Sequence, residues 1–108
     1  MDTASDSDKV AHIEGQIHDK WFRLSMVYFN PKDHEWCLYL GNSQKGPFDQ
    51  ILKIEGILDY SYTDEPKIDV YDINQIKIDA SCGTLILTSG FPLEIKLSIS
   101  PAFKISLC

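Results

Sequence analysis

The sequence predicts a mainly β fold, an antiparallel β-sandwich or small β-barrel of seven to nine short strands with at most one or two short helices. Apolar residues recur at every second position almost everywhere past residue 20, the signature of strands with one buried face. Gly, Pro and Asn punctuate that pattern at intervals of about ten residues, as in compact all-β domains. With 108 residues, 44% of them hydrophobic and 24% charged, the chain supports one hydrophobic core and is too short for two.

Met1 to Asp8, MDTASDSD, reads as a disordered acidic tail, and residues 9–108 as a single β-rich domain. Val10, Ile13, Ile17 and Trp21 recur at helical steps after a possible cap at Asp8. Gly15 in that interior costs about 1 kcal/mol, so strand is the preferred reading of residues 9–18 and helix the alternative. Trp21 to Phe29 places Phe22, Leu24, Met26 and Tyr28 on one side. Trp36, Leu38 and Leu40 do the same after Asn30–His34, which predicts a hairpin. Gly41–Pro47, GNSQKGP, is the best candidate for a mobile loop.

From Ile51 to Tyr62 the even positions are apolar, with a bulge expected at Gly56 and a short helix over residues 48–55 as the alternative. Ile68, Val70, Ile76 and Ile78 continue the alternation. Asp72 and Asn74 break it into two strands or one bent strand. If Thr63–Lys67 is a loop, Tyr62 faces Ile68 and Tyr60 faces Val70, which leaves Asp59, Ser61, Asp69 and Tyr71 on the outer face of a hairpin. Thr84–Thr88 reads as a central strand. Leu93–Ile99 and Phe103–Leu107 read as two more, separated by Ser100-Pro101-Ala102.

Sixteen acids against ten bases give a net charge of -6, which argues against nucleic acid and anionic membranes as partners. The N-terminus has neither a basic nor an apolar signal region, and no apolar run approaches the roughly 18 residues of a membrane span, so a cytoplasmic protein is expected. Cys37, Cys82 and Cys108 are odd in number and widely spaced, which fits reduced thiols.

No motif points to catalysis. Gly41 to Gly46 has phosphate-loop spacing, but Pro47 and Phe48 follow where Lys and Ser or Thr are required. No serine sits in a nucleophile motif. On a strand, His12 and Glu14 would be neighbours that, with His34, could hold a small ligand, yet two ligands without a third at fixed spacing do not define a metal centre. No cofactor and no enzymatic activity are expected.

Charge distribution is more informative. Residues 49–79 hold eight acids and three lysines, whereas residues 80–108 hold one acid and two lysines. The expected acidic hairpin gathers Asp59, Asp64, Glu65, Asp69 and Asp72 beside Tyr71. Such a surface steers a basic protein toward it. The reading is therefore a non-enzymatic binding domain, inhibitor- or immunity-like, with a small-ligand or metal-binding β-barrel as the alternative. The sparsely charged Phe103–Cys108 segment is where a homodimer would pair.

Overall fold

The computed structural model describes residues 3–64, 68–79 and 81–107, and side chains from residue 9 onward apart from Asp64. It is mainly β, as expected. Eight strands follow the helix α1 (Thr3–Ile17): β1 (Trp21–Arg23), β2 (Tyr28–Asn30), β3 (Glu35–Gly41), β4 (Gln50–Asp64), β5 (Val70–Asp72), β6 (Gln75–Asp79), β7 (Thr84–Thr88) and β8 (Leu93–Leu107). They form one antiparallel sheet in the order β5-β1-β3-β4-β8-β7-β6, with β2 also on β3, curled into a half-barrel.

Its first and last strands are joined by only Ile73 and Asn74. Ile73 N–H donates to the Lys20 carbonyl (2.8 Å) and Asn74 N–H to the Thr88 carbonyl (2.8 Å), which ties the junction to the approach to β1 and to β7.

Period-two burial fills the concave side. Phe22, Trp36, Leu38, Leu40, Leu52, Ile54, Leu85, Leu87, Ile95 and Leu97 are fully buried there. Helix α1 covers β6 and β8 through Val10, Ile13 and Ile17, and the Glu14 carboxylate accepts the Ile76 N–H at 2.6 Å. The strand reading of residues 9–18 is thereby corrected. Spacings of three and four residues place one stripe on the core, which an extended chain would split between faces. Gly15 is tolerated because it lies exposed, and a methyl group at its Cβ position would meet no atom within 4 Å. The helix begins at Thr3, inside the segment expected to be a tail.

Residues 50–55 are strand, and Gly56 forms the expected bulge. Its N–H and that of Ile57 both donate to the His34 carbonyl at 2.9 Å, so two residues of β4 face one residue of the neighbouring chain segment. The 3-10 turn Leu24–Met26 interrupts the first predicted strand, and Met26 and Tyr28 emerge 39% and 46% exposed rather than joining Phe22 inside. β8 runs unbroken through Pro101, which lies in Ser100–Phe103 opposite Gly56, where no strand partners are registered.

The hairpin expected between residues 58–62 and 68–72 does not form. β4 pairs with β8, with Tyr60 opposite Leu97 and Tyr62 opposite Ile95, while β5 pairs with β1, with Tyr71 opposite Phe22. Alternation specifies which face a residue takes, not which strand lies beside it. Leu93–Ile99 offers the same parity in an uninterrupted run.

Candidate functional site

Because the hairpin is absent, the acids assigned to it separate. Asp69 adopts a left-handed backbone (φ 70°), and its carboxylate accepts the Ser25 N–H (2.8 Å) and hydroxyl (3.0 Å) with Arg23 at 3.4 Å. It fastens the start of β5 to the turn after β1. Asp72 accepts the Ser89 hydroxyl (2.6 Å) and the Gly90 N–H (2.9 Å), which fixes the turn between β7 and β8. Tyr71 is fully buried, its ring against Phe22 and Phe91. These three side chains hold the fold together where they stand. Asp64 ends β4 opposite Leu93, but its side chain, and Glu65 altogether, lie outside the described residues.

Of the acids in that set whose side chains are described, Asp59 alone stands on an open strand. Pairing of β4 with β3 ends at Glu55, and from Ile57 to Asp64 the registered partner is β8 alone. The Tyr60 N–H points away from β8, since it donates to the Asp59 carboxylate at 2.8 Å. Peptide groups alternate in direction along a strand, so Tyr62 presents its backbone outward as well. Along this edge Leu58 is 55% and Tyr62 49% exposed.

The Tyr60 ring anchors the edge from within. It lies edge-on to Phe29 (5.3 Å between centroids) and Trp36 (6.1 Å) and stacks on Tyr62 (6.5 Å). Burial, with Tyr62 beside it, pushes the Tyr60 hydroxyl above the ordinary tyrosine range, so it stays a neutral phenol. The aromatics on polar parity divide: Tyr71 is core, whereas Trp21, Phe29 and Tyr39 are partly buried.

Farther along the same ladder, at the tip of β8, a shallow cavity of about 350 Å³ lies between Thr63, Thr88 and the turn from Ser89 to Glu94. Sequence reasoning missed both this cavity and the β4 edge. The sole signal for the edge is an eight-residue run, Ile57 to Asp64, without the Lys or Pro that guards open strands.

The histidine set is not assembled as a strand would assemble it. His12 is exposed on α1, Glu14 is engaged with Ile76, and His34 is exposed in the turn before β3 with φ 56°. Among the described residues no three His, Cys, Asp or Glu side chains are placed to share a metal ion.

Among the described residues no helix is long and apolar enough to cross a membrane. No family model and no curated protein matches the chain. One solved structure, an uncharacterized protein from Neisseria gonorrhoeae, is similar over 83% of this chain and 90% of its own, with a TM-score of 0.50 and 13% sequence identity. At that identity the likeness concerns the fold alone.

Proposed function

We propose that the chain is a non-enzymatic, cytoplasmic binding domain that accepts an extended segment of a basic protein partner along the open side of β4. The supporting observation is the one-sided ladder from Ile57 to Asp64, whose outward peptide groups at Tyr60 and Tyr62 are the kind that strand addition satisfies. A segment laid there places alternate side chains beside Tyr60 and Tyr62 on one face and beside Asp59, Ser61 and Thr63 on the other. The net charge of -6 and the exposed Asp59 favour a segment that carries Lys or Arg.

A second copy of the chain is a poorer occupant of this edge, because self-pairing brings Asp59 and Asp64 of both strands into one ribbon. Another open edge is the C-terminal half of β8, which contains the Phe103–Cys108 segment where a homodimer is expected from the sequence; Lys104 within that segment and Pro101 just before it discourage strand pairing.

The test is selection of peptides from a random display library on the immobilised full chain, followed by affinity measurement on synthetic copies. Extended sequences alternating apolar residues with Lys or Arg are expected, with affinity falling as salt rises. Tyr62→Pro removes an outward N–H without removing a donor to β8, so the circular dichroism spectrum should persist while affinity drops about tenfold, the worth of roughly one backbone hydrogen bond. Enrichment of no extended peptide, or affinity unchanged by Tyr62→Pro, overturns the assignment.

A further inference from the structure

The cavity at the tip of β8 sits at the end of the proposed docking edge, and its walls are chemically one-sided. Among the described residues Glu94 is the one ionisable group in its lining, and it makes no ion pair or hydrogen bond with them. Thr63 and Thr88 add hydroxyls. The Thr88 hydroxyl already donates to the Gln75 carbonyl at 3.4 Å, so toward the cavity it offers lone pairs. Pro92 supplies an apolar wall.

Phe91 is 39% exposed, with its ring held by Trp21 (6.5 Å) and Tyr71 (6.1 Å). The turn that carries it is fixed in advance: Asp72 grips Ser89 and Gly90, the Ser89 hydroxyl accepts the Phe91 N–H at 3.3 Å, and the Leu93 N–H donates to the Phe91 carbonyl at 2.7 Å. A site already shaped loses little entropy on binding.

A carboxylate, hydroxyl acceptors, an aromatic ring and an apolar wall together suit one class of ligand, an organic cation on a flexible methylene stem. The stem packs on Pro92, the charge reaches Glu94, and the exposed Phe91 ring beside it attracts the cation. An anion would meet Glu94. With about 350 Å³ the space lies at the small end of ligand pockets and suits one side chain rather than a larger molecule. Thr63, Thr88 and Glu94 share the outer face of the ladder, in register across β4, β8 and β7. A strand added beside β4 reaches that face with every second side chain.

We propose that this cavity holds a Lys or Arg side chain of the segment bound along β4, as the anchor of the basic partner. The proposal rests on the strand-addition reading for the source of the cation, but the cavity can be probed without it. The probe is N-acetylarginine amide, titrated into the full chain and followed by two-dimensional amide NMR, with N-acetylnorleucine amide as the uncharged control.

Saturable shifts confined to Thr63, Thr88 and Phe91–Glu94 are expected, with affinity about fivefold weaker for the control and about fivefold weaker in Glu94→Gln, the scale of one exposed ion pair. Equal binding of the control, an unchanged Glu94→Gln titration, or no saturable shift overturns the proposal. Tyr62→Pro should leave arginine amide binding intact, because the probe forms no strand. If the probe behaves as expected while no peptide binds along β4, the cation pocket stands and the strand-addition reading falls.

Discussion

Gly56→Ala is expected to cost the domain about 3 kcal/mol, a drop in thermal midpoint of roughly 12 to 24 °C at the usual 4–8 °C per kcal/mol for a domain near this size. Two separate penalties combine. The backbone at Gly56 has φ +87°, a conformation that costs a residue with a side chain about 1–3 kcal/mol. The added methyl would also stand 2.8 Å from the Phe103 Cα and 2.8 Å from the Ser100 Oγ, so β8 would have to shift, at about 1–3 kcal/mol for an overpacked site.

Gly15→Ala is the internal control. It lies in α1 with open space around it, and the same change there should stabilise by about 0.5–1 kcal/mol. Urea unfolding of both variants decides the matter, and equal effects at the two positions would contradict the bulge geometry.

Trp36→Ala is expected to be at least as severe, at about 3–5 kcal/mol for the loss of a fully buried Trp. Trp36 sits where β3 faces Ile54 of β4, and its ring supports Tyr60, so the cavity would open under the proposed docking edge. Its indole N–H is buried and meets no hydrogen-bond partner among the described residues, and a desolvated donor costs about 1–3 kcal/mol. Trp36→Phe removes that donor together with part of the ring, so its net loss should be far smaller, at about 1 kcal/mol once the relieved donor offsets the lost ring volume. If Trp36→Phe proved as damaging as Trp36→Ala, the indole N–H would have to be bonded in solution.

The residues explain how far the sequence can be read. Alternation locates β4 and β8 and marks Gly56 as a bulge, because burial of one face leaves a period-two trace, while β7 is marked by a continuous apolar run. Pairing leaves no such trace. Tyr60 and Tyr62 match Val70 and Ile68 in parity as well as they match Leu97 and Ile95, and the choice is made by long-range packing and by Asp69, which binds its segment to Ser25 and Arg23.

Helix α1 is hidden in the sequence because Gly15 and the polar alternation of His12, Glu14 and Gln16 obscure three apolar residues at helical spacing. The richness of residues 49–79 in carboxylates is plain from composition. Their engagement is not, since Asp69 and Asp72 spend theirs on backbone amides and hydroxyls 44 and 17–18 residues away.

Amide hydrogen exchange resolved along β4 tests the open edge most directly. Alternating protection is expected: slow exchange at Asp59, Ser61 and Thr63, which face β8, fast exchange at Tyr62, and an intermediate rate at Tyr60, whose N–H is shielded only by the Asp59 carboxylate. Uniformly slow exchange from Asp59 to Thr63 would mean that the outer side of β4 is already occupied and that no open edge exists there.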